Sequence, residues 1–366
     1  MPMLAAVAAL ILIAGVLWDA FETIILPRRV RRRLRLTRVF YQLTWLPWSV
    51  FARRVGKKSH HEGRRETILS FYGPLALLGL LVVWAIGLMF GFGLLQWALG
   101  THLSASSTPH AGFTTDLYFS GTTFFTLGLG DVVPRSGAAR FFTVIEAGLG
   151  FAFLALIISY LPILYQAFSR REVNVSLLDA RAGSPPTAVE LLRRHGPDAP
   201  REALPQFFAE WERWSAELLE AQLSYPSIGY FRSQHENQSW LGALTVMLDA
   251  CALVLAGADD VPQQQARLTF AIARHAAVDL AQVFGADYRN FKDDRLAPAD
   301  QARLRAALDA AGMPLRTGDE ADAKLARLRR MYEPYVIALA NYLVITLPPW
   351  LPVPGALDDW QSSPME

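Results

Sequence analysis

Three long apolar stretches constrain the fold of this chain more than any other feature of its sequence. They cover residues 3–26, 68–99 and 138–168, and the middle one carries no charged side chain. A helix of about 20 apolar residues crosses a bilayer core about 30 Å thick, so each stretch is long enough. The sequence therefore predicts an all-α membrane protein with three transmembrane helices. The alternative for the first stretch is a cleaved signal peptide, which requires preceding basic residues and a small-residue cleavage site that are missing.

The remainder of the 366-residue chain divides around these stretches. We predict an N-terminal transmembrane helix over 1–26 and a basic segment over 27–67. A membrane domain follows over 68–168, and a helical domain over 169–366. The single cysteine, Cys251, excludes an intramolecular disulfide and a cysteine-cluster metal site, and His235 and His275 add no recognisable ligand spacing.

Charge sets the predicted orientation. Between residues 27 and 65 there are thirteen lysines and arginines but one acid, Glu62. Lysine and arginine cluster in cytoplasmic loops, so we expect the N-terminus outside, the C-terminus in the cytoplasm and a multi-pass protein of the cell (inner) membrane. Segment 28–65 is expected to lie at anionic lipid headgroups. The net charge of +2 gives no sign of a nucleic-acid partner, and none is predicted.

The arginines of this basic segment leave two interpretations. Every third residue is arginine at Arg29, Arg32, Arg35 and Arg38, as in a voltage-sensor helix. Further arginines occupy the other faces, which favours a solvated helix facing lipid headgroups. Residues 39–51 are rich in aromatic side chains, which prefer the membrane–water interface, and are predicted to form an interfacial segment interrupted at Pro47. Asp19 and Glu22 are acids at membrane depth and are expected to pair with arginines of 28–38.

The loop over 100–137 contains the sequence TLGLGD at residues 126–131. Two glycines alternate there with bulky residues, between a threonine and an aspartate. A cation stripped of water needs a ring of oxygens, which consecutive backbone carbonyls supply when all point one way. That geometry requires alternating backbone conformations with positive φ, which glycine adopts readily. A short helix is predicted just before, from a cap at Thr114 or Thr115 to about residue 125, with Asp116 in its positive first turn.

The hexapeptide resembles the T-x-G-x-G-D signature of potassium channels, and the resemblance extends over 68–168. It implies a pore domain, with the pore helix and filter over 114–134. One filter per chain implies a homotetramer, since a single strand cannot encircle an ion. The resemblance implies no catalysis and no cofactor besides the permeating potassium ion. The implied filter residues are Thr126, Leu127, Gly128, Leu129, Gly130 and Asp131, with K⁺ at the first four of these positions.

The sequence departs from the family pattern around the filter. Leu129 replaces the usual tyrosine, and Tyr118 and Phe119 stand where the family has tryptophans. Thr122 stands in place of a glutamate that pairs with the filter aspartate. We therefore expect an apolar surround instead of a hydrogen-bonded one, with Glu146 bonded to the pore helix behind the filter.

Two positions in the third apolar stretch are gating candidates. Gly150 lies twenty positions after the last filter glycine, where the resemblance implies a hinge, although glycines also permit close helix packing. Pro162 is expected to kink the helix, either setting the width of an inner gate or steering the chain into the next domain.

The sequence of residues 169–366 is typical of a helical domain. A helix is expected to begin at Ser184-Pro185-Pro186, and others are expected over 239–256, 262–286, 298–311 and 319–347. Residues 335–347 are apolar enough for a fourth span but too short, so a buried core helix is favoured. The C-terminal sequence shows no strand-rich pattern and no G-x-G-x-x-G motif after a strand. A nucleotide-binding regulatory domain is therefore not expected. A ligand sensor, a tetramerisation module and a docking surface all remain open for this domain.

The function predicted from these features is passive conduction of potassium. A weakly selective cation channel is the close alternative, because the residues around the filter are altered. The alternative from another class is a membrane-anchored signalling or scaffold protein that acts through its C-terminal domain.

Overall fold

The computed structural model of the chain is helical, as predicted, and divides into two compact units. The first unit comprises residues 1–47 and 74–166, and the second comprises 48–73 and 167–366. The structure describes residues 2–26, 35–55, 62–100, 103–105, 112–197, 199–234, 237–258, 261–289 and 294–355.

The helices follow the predicted apolar stretches. Helix α1 (Pro2–Ala20) continues as a π-helical turn (Phe21–Ile25). The elements after it are α2 (Leu36–Val55), α3 (Glu62–Ala98), β1 (Leu103–Ala105), α4 (Phe113–Phe124), β2 (Val132–Pro134) and α5 (Gly137–Ala182). The strands pair antiparallel, with Leu103 opposite Pro134 and Ala105 opposite Val132.

The C-terminal residues form seven further helices and a 3-10 turn within the described ranges. They are α6 (Ala188–Arg194), α7 (Ala203–Ser224), the turn Pro226–Tyr230, α8 (Trp240–Gly257), α9 (Gln263–Phe284), α10 (Pro298–Ala310), α11 (Asp319–Arg330) and α12 (Glu333–Leu343).

Among the described residues, four helices are long and apolar enough to cross a membrane: Pro2–Ile25, Gly63–Ala98, Gly137–Ala182 and Trp240–Gly257. The first three contain the predicted spans. The fourth, α8, differs because every one of its residues is buried within the second unit. A helix covered by protein on all sides has no face left for lipid, so α8 is the core helix of that unit.

Close approach of two helices builds the core of the first unit. Ala9, Ile13 and Val16 of α1 pack with Leu80, Trp84 and Leu88 of α3. A Cβ added at Gly91 would lie 2.7 Å from Ile13. Glycine therefore lets the helices approach, as small residues do at contacts between membrane helices.

Two buried acids, Asp19 near the end of α1 and Glu22 in the π-helical turn, are both paired. Asp19 accepts hydrogen bonds from Trp84 Nε1 (3.0 Å) and the backbone N–H of Thr37 (3.1 Å). Arg35 Nε lies 3.9 Å from Asp19 and 3.5 Å from Glu22. The predicted pairing with an arginine of 28–38 is confirmed at Arg35. Arg29 and Arg32, on which the voltage-sensor interpretation depends, lie outside the described residues.

Three expectations about α2 and the C-terminal helices were wrong. Helix α2 continues through Pro47, with buried residues on both sides at Trp45 and Ala52. A proline removes one helical hydrogen bond, but packing of the flanking turns can hold the helix together. The cap after α5 is Thr187, whose hydroxyl accepts from Glu190 N–H at 3.2 Å, and not Ser184.

The third error concerns 319–347, which forms two helices, α11 and α12. The break falls at Tyr332, and Pro334 lies in the first turn of α12. Proline suits that position because a first-turn N–H has no intrahelical partner. The buried-core interpretation of 335–347 is supported, since Val336, Leu339 and Leu343 are buried.

An ionic network holds α8 to the last helices of the second unit. Arg295 donates to both carboxylate oxygens of Asp249, at 3.1 and 2.8 Å, and Tyr332 donates to the same carboxylate. Arg295 and Arg329 each lie 5.6 Å from the ring centroid of Trp350. Asp249 is fully buried, and a buried ion pair that loses one partner is strongly destabilised.

Asp249→Asn is expected to destabilise the second unit by roughly 3–5 kcal/mol, because it leaves the buried Arg295 without its main counter-charge. Thermal unfolding of the purified chain measures the effect as a lower Tm. Asp300→Asn is the matched control, because its pair with Arg303 is exposed and such pairs contribute about 0–1 kcal/mol. Equal Tm values for the two variants would contradict the prediction.

Candidate functional site

Helix α4 positions the segment 126–131, called the TLGLGD segment below. The N-cap of α4 is Gly112, and no side chain caps the helix. The caps predicted at Thr114 or Thr115 are therefore wrong: both lie inside α4, and the N–H of Thr115 bonds to the carbonyl of Gly112 at 2.8 Å. Glycine is an accepted N-cap residue, although it offers no side chain to bond an N–H of the first turn. Asp116 lies in the first turn, as predicted.

The C-terminal end of α4 holds the beginning of the TLGLGD segment. The carbonyl of Thr122 accepts from the N–H of Leu127 at 2.8 Å, and the carbonyl of Thr123 accepts from Thr126 at 3.0 Å. The last carbonyls of a helix have no intrahelical partner. These bonds satisfy two of them and turn the chain sharply at Thr126.

Backbone conformation alternates along the TLGLGD segment. The φ angles of Thr126, Gly128 and Gly130 are 57°, 55° and 79°, whereas Leu127 and Leu129 are not among the residues with positive φ. In a regular strand successive carbonyls point to opposite sides. An alternating sign of φ turns them toward the same side, which is the arrangement that a carbonyl ring requires.

Thr126 is the unexpected member of this alternation. A β-branched residue with positive φ is uncommon and costs about 1–3 kcal/mol. Such strain persists where the surroundings determine the conformation, and here the bonds from the end of α4 do so. The sequence indicated positive φ only at the glycines.

A single chain leaves the TLGLGD segment open. Leu127 and Leu129 are 61% and 65% exposed, and a Cβ added at Gly128 or Gly130 would meet no atom within 4 Å. One chain therefore supplies one wall of a site and does not enclose it.

Two hydrogen bonds hold the end of the TLGLGD segment, whereas an apolar surround was expected. Tyr118 donates from its hydroxyl to Asp131 Oδ2 at 2.9 Å, and Asp131 Oδ1 accepts from the N–H of Val132 at 3.1 Å. The segment runs back along α4 after the turn, which brings residues 118 and 131 together. Phe119 packs against Val132 on the buried side.

Hydrogen bonds behind the segment connect three helices. The hydroxyl of Ser120 on α4 lies within hydrogen-bonding distance of Glu146 on α5 and of the carbonyl of Met89 on α3 (2.7 Å). The bond expected between Glu146 and the preceding helix is present. Ser120 was not predicted as the partner from the sequence, because a single serine in an apolar helix forms no recognisable pattern. Thr122 donates to the carbonyl of Phe119 at 2.9 Å within its own helix.

Gly150 lies against the end of α4. A Cβ added there would lie 2.0 Å from the carbonyl oxygen of Phe124, two residues before the TLGLGD segment. Helix α5 runs without interruption through Gly150 and Pro162. Close packing is thus an observed role of Gly150, and hinge motion at either position stays a prediction.

Within the described residues, no group of three or more histidines, cysteines, aspartates or glutamates is arranged to hold a metal ion. Cys251 is buried in α8, and His235 lies outside the described residues.

Part of the chain is similar to known proteins. Residues 79–167 match the ion channel family, which is not a family of enzymes. The uncharacterized membrane protein YdjJ of Bacillus subtilis (strain 168) is 32% identical over 111 residues, which is 30% of this chain. The match covers about a third (32%) of the length of that relative. No solved structure matches the chain.

Proposed function

We propose that this chain, whose residues 79–167 form a domain of the ion channel family, is a potassium-selective channel that conducts K⁺ passively. The observation that carries the proposal is the alternation of positive φ at Thr126, Gly128 and Gly130. Carbonyls of residues 126–129 aligned in this way replace the hydration shell of K⁺ when a ring of them is formed. No cofactor besides the permeating ion takes part.

The ring requires more than one chain, and we propose a homotetramer. Each chain offers one strand of carbonyls on an open side, so four copies around an axis complete the site. The exposed apolar side chains of α5 are available to neighbouring chains and to lipid; they include Phe141, Val144, Phe151, Leu154 and Ile158.

Electrostatics support a cation as the permeating species. The negative end of the α4 dipole lies at the turn into the TLGLGD segment. Asp131 places a carboxylate at the other end of the segment, which raises the local concentration of cations. We further propose that this end faces outward in the inner membrane, with the C-terminus in the cytoplasm and segment 28–65 at anionic headgroups.

Reversal potentials of the purified chain in planar bilayers test this function. With unequal potassium concentrations on the two sides and sodium added to equalise the ionic strength, we expect a reversal potential near the potassium equilibrium potential. A value near zero would show the weakly selective alternative. Absence of any current, in preparations shown to be folded by their thermal transition, would favour a signalling or scaffold role and end the channel proposal.

Tyr118→Phe is expected to lower the preference for potassium over sodium. It removes the hydroxyl that donates to Asp131 and leaves the aromatic ring of residue 118 in place. A less rigid end of the filter discriminates less between ions of different size. Permeability ratios measure the effect, with Tyr288→Phe in the second unit as control. The same ratio in both variants would show that the bond does not support selectivity.

A further inference from the structure

The second unit contains a polar cavity of about 370 Å³. Its wall comes from four parts of the chain: the start of α3, the residues after α5, residues 232–234 and 237–239 before α8, and the segment 345–349 after α12. Small-molecule sites occupy about 300–1,000 Å³, so this cavity suits a ligand of few non-hydrogen atoms.

The charge of the cavity favours an anion. Arg65 and Arg232 both line it, and Glu66 lies 3.3 Å from the first and 3.9 Å from the second. Two cations against one carboxylate leave a net positive charge. Helix α8 adds the positive end of an 18-residue dipole, since its N-cap Ser239 and its first-turn residue Gly242 also line the cavity.

The second arginine is held in place by the protein. Arg232 donates to the carbonyls of Leu343 and Val344 at the end of α12, and its side chain is 10% exposed. Burial lowers the pKa of Arg232 to about 10, so the guanidinium is still charged at neutral pH and is incompletely compensated by Glu66. An anion in the cavity would supply the missing counter-charge.

Three buried polar atoms of lining residues lack a hydrogen-bond partner among the described residues. They are Arg65 Nε, Ser233 Oγ and the amide oxygen of Gln238. Such atoms cost free energy unless a ligand or water pairs with them. Arg65 Nε donates and Ser233 can donate, which suits phosphate oxygens. The Gln238 oxygen accepts, which suits a hydroxyl group on the same ligand.

We propose that this cavity binds a small hydroxylated phosphate ester of the glycerol phosphate type, and that its occupancy regulates conduction. The regulatory part rests on the channel function proposed above. Glycerol phosphate occurs free, as a phosphate monoester, and in the headgroup of phosphatidylglycerol, as a diester. Both offer the cavity phosphate oxygens next to glycerol hydroxyls.

Two helices connect the cavity with the ion channel domain along the chain. Helix α3 begins at the cavity wall and continues to Ala98, and α5 ends at Ala182, just before the lining residues Pro185 and Pro186. Both helices extend into 79–167. A ligand that contacts the start of α3 and the residues after α5 stabilises the conformation in which these are close. If the start of α3 and the residues after α5 lie closer together in one of the two states, open or closed, the bound ligand favours that state.

Binding is measured on the full chain in detergent, from the Tm with increasing sn-glycerol 3-phosphate at constant ionic strength. We expect a saturable rise in Tm, because a ligand that binds the folded state stabilises it. Arg65→Gln and Ser233→Ala are each expected to weaken binding by on the order of tenfold. Arg303→Gln, an exposed arginine on α10, is the matched control and should bind as the parent does. No rise in Tm, or an equal rise in all variants, overturns the site.

Conduction is measured in vesicles, which also separates the two sources of ligand. In phosphatidylcholine vesicles we expect added glycerol 3-phosphate to change potassium flux several-fold in the parent chain and not in Arg65→Gln. A change only when phosphatidylglycerol is in the membrane identifies the headgroup as the ligand. Binding with unchanged flux under both conditions overturns regulation, and binding in a chain without any flux overturns the channel function and not the site.

Discussion

Gly128→Ala is expected to abolish potassium-selective conduction while the chain still folds. The φ angle of Gly128 is 55°, where an alanine costs about 1–2 kcal/mol. Four copies around one ring would together cost about 4–8 kcal/mol. Relief of that strain returns φ to negative values and turns a carbonyl away from the axis. Since no atom of the chain lies within 4 Å of the added Cβ, the effect comes from backbone conformation and not from a clash within the chain.

The measurement is potassium current in bilayers together with the Tm of the purified variant. Gly137→Ala is the matched control: Gly137 is the first residue of α5, has no positive φ, and its added Cβ would meet no atom within 4 Å. We expect parental current and selectivity from the control. Parental selectivity in Gly128→Ala would contradict the assignment of the TLGLGD segment as the filter.

Gly150→Ala is expected to lower both stability and current. The added Cβ would lie 2.0 Å from the carbonyl oxygen of Phe124, so α5 or the end of α4 must move. Overpacking of this kind costs about 1–3 kcal/mol per chain. Displacement at Phe124 is transmitted to Thr126 through the bond between the carbonyl of Thr123 and the N–H of Thr126.

This variant also separates packing from hinge motion at Gly150. Loss of packing lowers the Tm and the tetramer fraction along with the current. Loss of a hinge changes the open probability at unchanged Tm and unchanged tetramer fraction. Gly148→Ala, two residues earlier on α5 with no atom within 4 Å of its added Cβ, is the control and should keep the parental Tm. Equal Tm values for Gly148→Ala and Gly150→Ala would contradict the packing role.

The membrane helices and the TLGLGD segment were predictable because their causes are local. Uncharged stretches such as 68–99 have few stable alternatives to a buried or lipid-facing helix. Glycine at 128 and 130 indicated positive φ directly, since other residues rarely adopt it. Proline, in contrast, misled twice. Helix α2 continues through Pro47, whereas Pro334 lies at the start of α12, inside the stretch 319–347 that was predicted to be one helix. Neighbouring contacts decide whether a helix continues past a proline.

The contacts around the segment were not predictable, because they join residues far apart in sequence or depend on packing. Tyr118 reaches Asp131 only because the chain turns back along α4. Ser120 matters only because α3 and α5 both pass it. The strained φ of Thr126 follows from hydrogen bonds at the end of α4, which no propensity of threonine indicates.

The sequence by itself determined which stretches are apolar enough for a membrane and where glycines permit a line of carbonyls. Both depend on side-chain chemistry and local backbone freedom. Only the tertiary structure decided that α8 is a core helix, although its composition alone would allow a span, because burial depends on what surrounds a helix. It likewise decided that Gly150 packs on Phe124 and that Arg65, Arg232 and Ser233 line one cavity. These contacts form between segments that are far apart in the sequence, so local sequence patterns do not predict them.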